Sequence, residues 1–175
     1  MSGDIAVKLS VEERGAFVER LGAKEWEARR IAFESLSQQG ATALEVLIAG
    51  TVHPNWRVRR GCADLMDHLA DSRCVEPLLR LLNDPVVAVR RLALHALSCQ
   101  RCKVCPLEVD IIGSLSRLAL EDSSIQVRRV AVHQLGCQPP DARAIETLKS
   151  VIANDTDAKL LSRARWAISQ HQEAL

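Results

Sequence analysis

At 175 residues the chain is long enough to bury a core without disulfides or a structural metal, so any metal it holds is optional for folding. Hydrophobic residues make up 47% and aromatics only 3%, which excludes an aromatic-rich core and points to Leu, Val, Ile and Ala, as in stacked helical repeats. The formal net charge of +1 excludes a global field for nucleic acid or for a membrane surface, so any basic patch must be local.

Along the chain, MSGDIAVKLS carries no basic region followed by an apolar run, and no stretch approaches the roughly 18 apolar residues of a membrane span. A cytoplasmic protein without membrane contact is expected. Thiols stay reduced in that compartment, so the six cysteines read as small core residues, ligands or redox groups rather than as a disulfide framework.

From Trp26 onward a pattern recurs. WEARRIAFESLSQQ (from Trp26), WRVRRGCADLMDHL (from Trp56), VAVRRLALHALSCQ (from Val87) and IQVRRVAVHQLGCQ (from Ile125) align without gaps, and AKLLSRARWAIS (from Ala158) is a weaker fifth copy. The anchors Ala28, Val58, Val89, Val127 and Leu160 stand 30, 31, 38 and 33 residues apart, a period that means stacked repeats. CVEPLLRLL (74–82) and AIETLKSVI (144–152) have helical apolar spacing ahead of the RR-containing helices, so each unit is expected to be a helical hairpin. NDP (83–85), EDSS (121–124) and NDTD (154–157) supply side-chain acceptors at the turns, and Pro54 and Pro85 sit where an N–H is not needed. Val89, Ala93, Ala96 and Leu97, with Val127, Ala131, Gln134 and Leu135, form the expected core stripe.

NDPVVAVRRLALHAL (83–97) and EDSSIQVRRVAVHQL (121–135) resemble the HEAT-repeat family, in particular its bacterial short form, the phycobilisome-lyase-type HEAT-like repeat. The resemblance implies an all-α, right-handed α-solenoid of about five HEAT-like hairpins. One domain over 1–175 is expected, with repeats near 10–38, 39–70, 71–100, 106–138 and 141–172. It also implies a ladder in which Asp84 pairs with Arg90 and Asp122 with Arg128. His53 stands where an Asp would precede Arg59, and Leu161 stands where an Arg would follow Asp155, so the outer rungs are expected to be weak.

If the second helices line a concave groove, the second Arg of each pair gives a row of Arg30, Arg60, Arg91 and Arg129, broken by Ser162. One turn further on come Glu34, Asp64, His95, His133 and Trp166. The start of the groove, around Glu34, Asp64 and Asp67, is acidic. Forked guanidiniums at repeat spacing suit a carboxylate or phosphate partner, while a solvated or ladder-bonded row is the plainer alternative. Aromatics hardly interleave: Trp26 and Trp56 occupy the Val87 register, a helix-start packing position, which leaves Trp166. A protein or acidic peptide is therefore the expected partner and nucleic acid is not. Arg60, Arg91, His95, Arg129, His133 and Trp166 are the candidate contacts.

The 38-residue spacing comes from a seven-residue insertion, QRCKVCP (100–106), beside the i, i+4 pair His95 and Cys99; His133 and Cys137 repeat that pair. Small cysteines near a helix end are commonly packing, and His can serve the helix dipole. Two chemical readings stand beside this. His95, Cys99, Cys102 and Cys105 could form a closed four-ligand zinc site, although zinc sites more often use two separated pairs. Alternatively Arg101 and Lys103 could lower a thiol's pKa and C-x2-C could close a reversible disulfide. Cys62 and Cys74 fall at core registers. No GxSxG, phosphate-binding glycine loop or HExxH is present, and no His-Glu dipeptide of the kind that ligates iron in HEAT-repeat hydroxylases, so no catalytic residue is assigned. The sequence reading is a non-enzymatic scaffold without a cofactor. Zinc or thiol chemistry at the cysteine cluster is the alternative, with lyase-like tetrapyrrole handling implied by the resemblance.

Overall fold

The computed structural model describes residues 8–69, 71–99, 102 and 107–173. Their α-helices run, in chain order, α1 (Val11–Arg20), α2 (Trp26–Gln39), α3 (Leu44–Gly50), α4 (Trp56–Met66) and α5 (Val75–Leu81). They continue with α6 (Val87–Ser98), α7 (Ile112–Glu121), α8 (Ile125–Gly136), α9 (Ala142–Asn154) and α10 (Ala158–Glu173). Short 3₁₀ turns, Gly40–Ala43 and Ser72–Cys74, lead into α3 and α5. No strand occurs among the described residues, and none of the described helices is long and apolar enough to cross a membrane.

Polar residues ahead of several of the periodic runs start their helices. Ser10 and Glu13 cap α1 reciprocally: the Glu13 amide donates to Ser10 Oγ at 3.1 Å and the Ser10 amide to Glu13 Oε2 at 2.7 Å. Asn55 accepts from the Arg57 amide before α4, and Asp141 from the Arg143 amide before α9. The turn aspartates act one step earlier. Asp84, Asp122 and Asp155 each accept from the amide two residues on, at 2.8, 2.8 and 2.9 Å, which closes the turn and aims the chain into the next helix.

Each odd-numbered helix packs on the even-numbered helix that follows it, and the even helices form a continuous layer in which α6 lies against α4 and α8, and α8 against α10. On the other side α1 meets α3 and α7 meets α9. The expected stripe is the seam: Val58, Val89, Val127 and Leu160 are fully buried, as are Ala93, Ala96, Ala131 and Leu135. Each buried Val or Leu contributes about 1.5–3 kcal/mol relative to exposure. α6 packs on α8, so the even-helix layer is continuous across the 38-residue spacing.

The ladder exists, but one rung over from the arrangement the resemblance implied. Arg59 grips Asp84 through Nε and Nη2 at 2.6 and 3.0 Å, Arg90 grips Asp122 at 2.8 Å twice, and Arg128 Nε reaches Asp155 at 3.1 Å. Each guanidinium also turns Nη1 back to a carbonyl of its own turn: Arg59 to His53, Arg90 to Asp84, Arg128 to Asp122. One fork thus binds its own turn through the backbone and the next turn through the carboxylate. Asp155 is therefore served by Arg128 despite Leu161, and the altered rung is the first, where His53 holds the register position of the aspartate that would serve Arg29.

Candidate functional site

The arginines that share a register do not share a role. Arg30 is held on its own helix by Glu27 and by both oxygens of Glu34 at 2.7 Å. Arg129 is clamped by Asp157 at 2.9 and 2.5 Å. Arg60 is exposed, and Arg91, also exposed, donates to Gln126 Oε1 at 3.1 Å. Two of the four guanidiniums are thus largely neutralised by carboxylates, and Arg60 and Arg91 carry the accessible positive charge of the row.

Between α2 and α4 lies a cleft of about 430 Å³ lined by Trp26, Phe33, Trp56, Leu21 and Gly61, with Arg29, Arg30, Arg57, Arg60, Glu34 and Asp64 around them. Trp26 is 65% exposed, although its register counterparts Val87 and Ile125 pack against the core and Trp56 does so in part. The arginines lie over the rings, Arg30 at 5.8 Å from Trp26 and Arg57 at 4.8 Å from Trp56. Burial pushes the Asp64 carboxyl above its usual range, against the opposing charges of Arg60, His68 and His95. The sequence pattern placed Trp26 as packing; the overlooked signal was a large aromatic in the first repeat of an aromatic-poor chain.

At the other end His133 stacks on Trp166, ring centroids 5.1 Å apart and 26° between planes. A shallow depression beside them is lined by Lys159, Ser162 and Arg163. Cys137 is exposed, with its Sγ 3.8 Å from His133 Nε2.

His95 belongs to a different group. Its Nε2 lies 3.2 Å from Cys102 Sγ and 3.4 Å from Asp67 Oδ2, and its Nδ1 lies 3.4 Å from the Gln134 side-chain amide. Cys99 Sγ and Cys102 Sγ are 3.1 Å apart, and the ligand atoms of His95, Cys99 and Cys102 all fall within 4.8 Å of one another, close enough to hold one metal ion. Cys105, Arg101 and Lys103 lie outside the described residues. The hydrogen bond it shares with Cys99, which favours its protonated form, together with burial and the charge of Asp67, pushes the Cys102 thiol up to about 12. Cys62 and Cys74 are fully buried, as their registers imply.

Stacked helix pairs joined by an arginine–aspartate ladder define an α-solenoid. In agreement, residues 44–101, the second and third pairs, match the family described as HEAT repeats. Among solved structures the chain is similar to the complex of CpcE and CpcF of phycocyanin lyase from Nostoc sp. PCC7120, with a TM-score of 0.73 and 20% identity over 90% of this chain and 99% of that one. It is also similar to an engineered protein (TM-score 0.54, 18% identity, 91% of this chain and 81% of that one). A designed armadillo repeat protein in complex with the peptide (KR)4 gives 0.50 and 18% over 93% and 87%. At these identities the likeness is one of fold. No curated protein matches the sequence.

Proposed function

We propose that the protein is a scaffold that binds a protein segment or acidic peptide along its even-helix face. The observation that carries this is the α2/α4 cleft, where the exposed Trp26 ring and the half-buried Trp56 ring sit among Arg57 and Arg60. A rigid aromatic floor beside exposed guanidiniums is the pairing that concentrates binding energy at protein interfaces. Arg91 extends the positive charge toward the fourth pair, and His133 with Trp166 offers a second aromatic surface. In this reading Arg129 and His95, engaged by Asp157 and by Asp67 and Cys102, frame the face instead of reaching into it. The face is preformed by helix packing, so docking orders few protein groups. Two of the similar structures are complexes, one of CpcE with CpcF and one with a peptide, which supports a partner of this class. That peptide is basic; exposed arginines here select the opposite charge.

The test is selection of binders from a display library of acidic peptides with interspersed apolar residues, followed by titration monitored through tryptophan fluorescence. Trp26→Ala combined with Arg60→Glu is expected to weaken selected peptides by about 30-fold or more, the equivalent of one ~2 kcal/mol hot spot. Affinity unchanged in that variant at unchanged helicity refutes the assignment.

A second reading is favoured by the convergence of His95, Cys99 and Cys102: binding of a divalent metal. Imidazole and thiolate donors suit zinc better than magnesium or calcium. Metal content of protein purified under reducing conditions tests it.

A further inference from the structure

We propose that Asp67 is the fourth ligand of that metal site, so that Asp67, His95, Cys99 and Cys102 form one closed tetrahedral centre and Cys105 is not required. The inference rests on the metal reading and deepens it by naming the donor set and the elements it joins.

The distances around His95 Nε2 carry the argument. With metal–nitrogen and metal–oxygen bonds of about 2.0–2.1 Å and metal–sulfur bonds of about 2.3 Å, the edges of a tetrahedron run from about 3.3 to 3.8 Å. His95 Nε2 lies 3.4 Å from Asp67 Oδ2 and 3.2 Å from Cys102 Sγ, and Cys102 Sγ lies 3.1 Å from Cys99 Sγ. These three edges are within a few tenths of an ångström of tetrahedral values, and closing the site requires Asp67 Oδ2 to draw in toward the sulfurs, since the atoms already within 4.8 Å of one another are those of His95, Cys99 and Cys102. A Cys99–Cys102 disulfide would instead require the two sulfurs to close to about 2.05 Å.

Asp67 is only 3% exposed. It stands at the C-terminal end of α4, its amide bonded back to Ala63, Asp64 and Leu65, where the helix dipole opposes a carboxylate. A cation shared with His95 gives that buried charge a reason to be there. The imidazole is also suitably oriented, because a metal on Nε2 leaves the proton on Nδ1, which then needs an acceptor. The Gln134 amide on α8, 6% exposed, sits 3.4 Å from Nδ1 and presents its oxygen there after an amide flip. The site then fastens the start of the insertion, through Cys102, to α4 and α6, with α8 behind it. His68, whose Nδ1 is 3.3 Å from the Cys102 carbonyl, adds a second link between α4 and that segment.

The experiment is cobalt and zinc titration of reduced, metal-stripped protein, wild type beside Asp67→Asn, Asp67→Cys, Cys102→Ser and Cys105→Ser. The expected result is one ion per wild-type chain, tetrahedral cobalt bands, and a thiolate-to-cobalt charge-transfer band with the intensity of two thiolates. Cys105→Ser leaves stoichiometry and spectrum intact, Cys102→Ser abolishes binding, and Asp67→Asn lowers affinity at least tenfold. Asp67→Cys keeps binding and gains the intensity of a third thiolate, a change that a folding defect cannot produce. Binding insensitive to Asp67 but lost in Cys105→Ser overturns the inference and leaves the metal reading standing. Wild-type protein that takes up no metal, or that holds Cys99 and Cys102 only as a disulfide, overturns both.

Discussion

Arg90 and Asp122 face each other across the junction of the third and fourth helix pairs, joined by two hydrogen bonds of 2.8 Å, with side chains 11% and 4% exposed. Burial pushes the Asp122 carboxyl upward, but the Arg90 hydrogen bond, the Ser124 amide and the charges of Arg90 and Arg117 outweigh it and hold the group below its usual range. A carboxylate whose folded pKa is depressed contributes stability above its unfolded pKa of about 3.9, and that contribution is lost as pH falls through the folded value. Asp122→Ala should cost about 3–5 kcal/mol near neutrality, since it leaves the guanidinium buried without its counter-ion. In urea denaturation at pH 7 and again near pH 3, the gap between wild type and variant should narrow at the lower pH. A constant gap would refute the ion pair as the source.

The offset of the ladder makes a separate prediction. Asp84 offers its carboxylate to Arg59 but only its backbone carbonyl to Arg90. A double-mutant cycle on Arg59 and Asp84 should give a coupling energy of about 1 kcal/mol or more, and the cycle on Arg90 and Asp84 a smaller value, since there the carboxylate acts on the guanidinium only through its charge. The opposite ranking would restore the pairing within one repeat that sequence comparison implies.

These contacts show what was legible in the chain and what was not. Val58, Val89 and Val127 could be read as core because burial repeats with the hairpin from the second copy onward, whereas Ala28 in the first copy is only partly buried. The ladder's members were equally visible, but sliding the pairing by one repeat leaves each residue at its register, so sequence alone could not say which aspartate each arginine takes. Asp67 lay beyond reach for a different reason. Its register counterparts are Ser98 and Gly136, so no row marks it, and only the approach of α6 to α4 brings it beside His95. Trp26 was missed because its counterparts are packed while it is exposed.

His53 replaces an aspartate at the first rung yet preserves half of its work. Its Nδ1 accepts the Asn55 amide at 3.0 Å, as Asp84 accepts that of Val86, and its Nε2 meets Glu19 at 3.1 Å. Arg29 already sends Nη1 to the carbonyls of Ala23 and Lys24 in the manner of the other ladder arginines. His53→Asp should keep the turn and give Arg29 a carboxylate. Repulsion from the 68% exposed Glu19 offsets part of that gain, leaving a net stabilisation of about 1 kcal/mol. Thermal unfolding would show this as a rise in Tm of a few degrees, about 2–4 °C. A fall in Tm would mean that the His53–Glu19 contact matters more than the missing rung.

Gly136 lies where α8 packs tightly against α10. A Cβ there would lie 2.7 Å from the Ala167 Cβ, 2.8 Å from the Ala167 Cα and 2.8 Å from the Trp166 ring. Helix propensity favours alanine over glycine by about 1 kcal/mol, but forcing two helix backbones apart costs about 1–3 kcal/mol, and Cα cannot yield as a flexible side chain does. Gly136→Ala should therefore destabilise the protein despite its better propensity. It should also alter Trp166 fluorescence by disturbing the stack with His133. Gly113, in the first turn of α7, is the control, because an added methyl there would meet nothing within 4 Å. Gly113→Ala should be neutral or stabilising by up to about 1 kcal/mol. If urea midpoints of the two variants move together, the contact between α8 and α10 is looser than described; opposite shifts confirm that packing, not propensity, decides at Gly136.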